Sequence, residues 1–266
     1  MRLARAYVSV ILLPLLISAF APTASTQPPP QRNASAITLL NQSVSALGGA
    51  GWYSPTSGVI ARGTIAATPG GISGSILWEN AGMEFRYERP GPNGSTVFVS
   101  GHGNPAILDG GKVRQGAIGH LVMNLVPPHL AAIVLAKNLA KANTQISSVQ
   151  QVAIGGVAAL KVSSVDLTDE LSAQICKQDW YFDPVSLLPV RVDFLTSEAS
   201  NALNTATMTY LFSNYQNVAG VSFPFQVTTL FNGQQIETIT FNSIQTGAII
   251  ATTDFDAPSS TTGGGL

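Results

Sequence analysis

Three histidines, one cysteine and 14 carboxylates are the side chains with which this chain of 266 residues could do acid–base, nucleophilic or metal chemistry. Their spacing argues against all three. His102 sits in Gly101-His102-Gly103, a loop composition, while His120 precedes an apolar stretch and His129 opens another. No His-Glu-x-x-His occurs, so no helix face offers a paired zinc site. His129 is the one expected at the mouth of a cavity. Asp166, Asp169 and Glu170 cluster, and Asp254 and Asp256 flank Phe255. Both groups fall in turn-like segments without a partner base, which reads as solvated loop carboxylates or a weak cation site. A lone cysteine, Cys176, excludes an internal disulfide and a cysteine-based metal site. It opens a strand pattern with Gln178, Trp180 and Phe182 on its face and Lys177 on the other, so a buried, inert thiol is expected. Gly71-Ile72-Ser73-Gly74 falls short of a nucleophile elbow, and no Gly-Lys-Ser/Thr phosphate loop exists. The expectation is a protein that is not an enzyme and carries no metal or cofactor.

Composition points to apolar binding instead. Only 10% of residues are charged, against roughly 25% in an average domain, while 45% are hydrophobic and the mean hydropathy is +0.25. A net charge of −1 leaves no basic stripe for nucleic acid. Three Asn-x-Ser triplets, at Asn33, Asn41 and Asn93, match a glycosylation pattern that an Asn- and Ser-rich chain also produces by chance.

The elements that would position a site begin after an export signal. Arg2 and Arg5 precede an apolar run, Val8 to Phe20, and the small residues Ala21 to Ser25. That order is a secretory signal peptide over 1–25. The run is shorter than the ~20 residues that span a bilayer. A proline-rich flexible spacer (26–33), one domain (34–258) and a disordered tail (259–266) follow, so the mature chain is expected to be periplasmic or secreted, without a transmembrane anchor.

The domain opens on one amphipathic helix. Ile37, Leu40, Val44 and Leu47 mark its apolar face, Asn33 or Ser35 caps its start, and Gly48-Gly49 ends it. Period two then dominates. Met83, Phe85 and Tyr87 alternate with Glu84, Arg86 and Glu88, and Val221, Phe223, Phe225 and Val227 alternate with Ser222, Pro224 and Gln226. About eleven such segments, divided by signals such as Pro92-Asn93-Gly94, Asp109-Gly110-Gly111 and Asn232-Gly233, predict an antiparallel meander large enough to curl. Pro127 to Lys141 breaks the pattern as a helix apolar on nearly every side, predicted to be buried all round against the concave face. Ile118 to Val126 reads as a short lead-in helix.

From Asp179 to Pro258 the segments resemble a known family. Trp180-Tyr181-Phe182-Asp183-Pro184 with Leu187-Leu188-Pro189-Val190, then Tyr215 to Phe225, then Phe241 to Ile244 and Asp254 to Pro258, resemble the outer-membrane lipoprotein-sorting, or lipoprotein-carrier, superfamily. The resemblance implies a mainly β fold: a large curved antiparallel sheet forming a half-open barrel, with helices covering the concave face. It also implies lipid-chain binding outside the cytoplasm.

A sheet this large should not be filled by two or three helices, and the leftover volume would be an apolar cavity. Its expected walls are the dry-face aromatics Trp78, Phe85, Tyr87, Trp180, Phe182, Phe194, Phe212 and Phe225, with Leu130 and Val134 on the lid helix. Each buried methylene is worth ~0.8 kcal/mol, so a lipid or acyl chain could bind without an ionic contact. The alternative expectation is an envelope scaffold that uses the same fold to present loops to a protein partner.

Overall fold

The computed structural model describes residues 29–115, 127–198 and 201–257. The expected signal, the tail and the lead-in helix at Ile118 to Val126 lie outside them. The chain opens on α1 (Ala34–Ala46), whose Asn33 cap accepts the Ala36 amide at 3.1 Å. Gly48 and Gly49 take positive φ after it. At Gly48 a side chain would strike the Gly220 carbonyl, so only glycine lets the helix end abut the turn there.

Six strands follow: β1 (Gly58–Ala67), β2 (Gly74–Ala81), β3 (Glu84–Gly91), β4 (Gly94–Gly101), β5 (Asn104–Asp109) and β6 (Lys112–Gln115). Helix α2 (Ala131–Ala140) leads to β7 (Thr144–Ile146), β8 (Gln150–Ile154), β9 (Val157–Asp166) and the short α3 (Glu170–Ile175). The chain then completes β10 (Lys177–Phe182), β11 (Pro189–Glu198), β12 (Asn201–Val218), β13 (Val221–Phe231) and β14 (Gln234–Ala248), and ends in a 3-10 turn at Thr252–Phe255.

All 14 strands form one antiparallel sheet, ordered β6-β5-β4-β3-β2-β1-β14-β13-β12-β11-β10-β9-β7, with β8 also on β9. The β1–β14 pair joins the two meanders at the centre, and β6 and the β7/β8 side remain as edges, so the sheet curls without closing. Bulges re-aim the strands, one of them at Arg62/Gly63. A side chain at Gly63 would meet the Thr240 carbonyl, so the central pair needs glycine at that point. The sheet has more strands than the eleven or so segments expected, and its shortest, β6, β7 and β8, run to only four, three and five residues. Met83, read as a dry strand position, instead sits in the β2–β3 turn and is 74% exposed.

Helices α1 and α2 pack together on the concave face. Leu39, Leu40 and Leu47 of the α1 segment are buried, while Ile37 and Val44 are half-buried. Arg32, just ahead of α1, donates to the Leu139 and Lys141 carbonyls and so satisfies the C-terminal end of α2. Helix α2 is not buried all round as expected. Pro127 lies in the turn ahead of it, and Ala131, Ala132 and Leu135 are buried. Ile133 and Val134 are half-buried and Lys137 is exposed, so one flank of the helix stays open. No described helix is long and apolar enough to cross a membrane.

Candidate functional site

The open flank of α2 borders a cleft of about 820 Å³, inside the roughly 300–1,000 Å³ range of small-molecule pockets. Its floor on the helix is Leu130, Ile133, Val134, Lys137 and Lys141. One wall comes from the β2–β3 side, with Asn80, Gly82, Met83, Glu84 and Phe85, beside Tyr53 and Pro55. The opposite wall comes from Thr144, Ser164, Asp166, Cys176 and Gln178, where β7, β9 and β10 meet. A hydrogen-bonded chain pins the helix to that wall. Asn138 Nδ2 donates to Ser164 Oγ at 3.2 Å and to Gln178 Oε1 at 2.9 Å, and Trp180 Nε1 donates to the same Oε1 at 2.9 Å.

Charge concentrates at the β9 end. Lys141 Nζ lies 2.6 Å from Asp166 Oδ2, and Thr168 donates to Asp166 through both its amide and its hydroxyl. Burial opposes ionisation of Asp166, but these bonds outweigh it and hold its pKa below the usual carboxylate value. Desolvation lowers the Lys137 pKa, and the neighbouring Lys141 charge adds to this. Burial pushes the Cys176 thiol up to about 11, with Asp166 contributing, so it is protonated and unreactive near neutral pH. Cys176 is half-buried at the C-terminal end of α3 rather than inside β10. With six residues that helix offers a single apolar pair, Leu171 and Ile175, too little to mark a period, although Asp169, which accepts the Ser172 amide at 2.7 Å, is a legible cap.

Of the side chains expected to form the binding surface, Phe85, Leu130 and Val134 line the cleft. The other seven do not. Trp78 stacks on Tyr87 at 3.8 Å, and Tyr87 on Phe98 at 5.9 Å. Trp180 stacks on Phe212 at 6.3 Å, and Phe194 meets Tyr210 edge-on at 5.1 Å. Phe182 and Phe225 are buried in the same core. Their rings fill one another's space.

His129 is not at a cavity mouth. It is 1% exposed, with its ring 5.7 Å from Trp78 and 5.6 Å from Phe241. Neither ring nitrogen has a hydrogen-bond partner among the described residues, and burial lowers its pKa to about 3. It is a neutral core side chain at working pH. His102 is exposed beside Glu84 and Asp256, and His120 lies outside the described residues. Among the described residues, no group of three or more His, Cys, Asp or Glu could hold a metal ion.

No protein-family model and no curated protein matches the chain. Solved structures do. A domain from Vibrio parahaemolyticus, described as an outer membrane lipoprotein-sorting protein domain, aligns with 84% of this chain and 96% of its own, at 11% identity and a TM-score of 0.51. The chain has the lipoprotein-sorting fold. A LolA superfamily protein from Nitrosomonas europaea aligns with 84% of this chain and 97% of its own, at 11% identity and a TM-score of 0.49. A DUF1329 family protein from Desulfovibrio piger does so over 83% and 97%, at 10% identity and a TM-score of 0.48. The fold resemblance read from Asp179 to Pro258 thus extends over most of the chain. At this identity the likeness concerns the backbone, and what the cleft holds has to be argued from its own side chains.

Proposed function

We propose that this is an exported, non-catalytic carrier that holds the acyl chain of a lipid or acylated molecule in the cleft beside α2, in the periplasm or outside the cell. The observation that carries the reading is the cleft itself: about 820 Å³, floored by Leu130, Ile133 and Val134 and reaching Phe85. Burying methylenes there contributes ~0.8 kcal/mol each, so a chain of about a dozen carbons binds usefully on apolar contact alone. The carrier-like fold supports the same assignment, and Arg2, Arg5 and the apolar run Val8 to Phe20 support export. The partners proposed are therefore a lipid or acyl-chain ligand and an envelope protein that supplies or receives it.

The test is displacement of an apolar fluorescent dye from delipidated protein, alongside native mass spectrometry of the protein as purified. Wild type should take up the dye and release it to a fatty acid, and Val134→Glu should weaken uptake at least tenfold. Absence of co-purified lipid together with no dye uptake would overturn the reading.

A further inference from the structure

Lysines on this half of the molecule are matched by carboxylates, with one exception. Lys141 is paired to Asp166 at 2.6 Å, and Lys161 and Lys177 reach Asp179 at 3.0 and 3.5 Å. Lys137 has no ion pair and no hydrogen bond among the described residues, yet it stands in the cleft. Its position on α2 is specific. Leu130, Ile133, Val134 and Lys137 follow at intervals of three, one and three residues, which puts them in one stripe along the helix. Three apolar side chains are thus followed by a cation, all bordering the same cleft.

We propose that Lys137 is the anchoring cation of the cleft and that the ligand is a singly anionic amphiphile, its carboxylate headgroup on Lys137 and its chain running past Val134, Ile133 and Leu130 toward Phe85. This deepens the carrier reading and rests on it. The charges at that end decide the sign: Lys137 and Lys141 stand against Asp166 alone, which leaves one positive charge for a monoanion to neutralise. Glu84 also borders the cleft, next to Phe85 in sequence and with its carboxylate accepting the His102 amide at 3.3 Å, and it would repel a carboxylate placed at the Phe85 end of the chain. The dimensions agree. Seven residues of helix rise about 10 Å, and an extended chain advances about 1.2 Å per bond by the same geometry that gives a polypeptide ~3.3–3.6 Å per residue. Eight or so methylenes, at about that advance per bond, therefore cover the stripe from Lys137 to Leu130. Desolvation already penalises the unpaired ammonium, and an anionic headgroup relieves that penalty.

The experiment compares decanoate with decanol, equal in chain length and different in charge, as competitors for an apolar dye on the delipidated full chain. Wild type should bind decanoate about tenfold more tightly, equivalent to ~1.4 kcal/mol. Lys137→Met should abolish that preference, with decanoate bound no more tightly than decanol, while Lys161→Met, away from the cleft, should leave binding of both probes unchanged. Equal binding of the two probes to wild type, or a preference that survives in Lys137→Met, overturns the anchor and leaves the cleft reading standing. Loss of both probes in Lys137→Met also overturns it, because the side chain would then be holding the cleft's shape. If neither probe binds wild type, the carrier reading itself fails.

Discussion

Around Trp78 and Trp180 the concave face is filled ring against ring, whereas along the outer flank of α2 the same fold leaves about 820 Å³ open. The difference lies in side-chain size. The filled region is built from Trp78, Tyr87, Phe98, His129 and Phe241 on one side and Trp180, Phe194, Tyr210 and Phe212 on the other. The open flank has Phe85 as its one phenylalanine and includes the short side chains of Thr144, Ser164, Ser172, Ala136 and Ala140. Large apolar residues bring surface but also occupy the volume it encloses, and interiors pack to crystal-like density wherever they can. A cleft persists where small and polar side chains fail to reach across, so binding and folding are assigned to different residues on one sheet.

The largest effect that would break this division is on stability. Trp180 is 1% exposed and donates to Gln178. Trp180→Ala should cost about 3–5 kcal/mol, read as a shift in the denaturant midpoint. Val134→Ala, on the half-buried flank, should cost roughly 1 kcal/mol by the lost transfer of two methyl groups. Equal costs at the two positions would erase the distinction between filled and open regions.

A smaller effect sharpens the comparison through pH. His129 has its pKa lowered from 6.5 to about 3 by burial. The unfolded chain therefore takes up a proton below pH 6.5 that the folded chain refuses until about pH 3. Stability from this group is fully present above the unfolded value and is lost as pH falls between the two, with a limiting slope of about 1.4 kcal/mol per pH unit. Asp166, Asp179 and Asp183 have lowered pKa values and act at more acid pH, below 3.8, while Glu79, raised above 4.5 by burial, titrates with the opposite sign, so the histidine is read as the difference in slope between wild type and His129→Phe. Denaturation between pH 7 and 5 should show this slope in wild type, and His129→Phe should flatten it. The Phe variant should also be more stable by about 1–3 kcal/mol, because it removes two buried nitrogens that have no partner among the described residues. A variant with unchanged slope would mean that the ring is not sealed in the core.

The architecture was legible because it rests on local rules. Alternation in Val221 to Val227, the Asn33 cap and turns such as Asn232-Gly233 each fix a short stretch, and an antiparallel meander follows from stringing such stretches together. The cleft was legible only in Phe85, Leu130 and Val134. Size marks the rings that pack against one another, whereas Ser164 and Ala136 border the space because they are short. Which face of α2 would stay open was also hidden, since periodicity alone marks Ile133, Val134 and Leu135 as equally apolar. The one sequence signal was Lys137, the first charge in a stretch with almost none, and it stands on the flank that is open.

The smallest expected change in stability is the one that most directly separates the two regions. Ala136 borders the cleft and is half-buried on α2. If the flank is open space, Ala136→Trp places an indole in the cleft without displacing core atoms, and stability should move by no more than about 0.5 kcal/mol, as for a surface substitution. Alanine is the better helix former, so any loss within that bound is expected from propensity alone. The same indole should abolish dye uptake, because it occupies the part of the cleft beside Ile133 and Ala140, its neighbours on the helix face. A drop of several kcal/mol in Ala136→Trp would show that the flank is packed like the rest of the interior. Full dye binding in a stably folded variant would place the ligand elsewhere on the molecule. The expected result, a silent substitution in the denaturation curve that is decisive in the binding curve, belongs to a cleft that the fold maintains without depending on it.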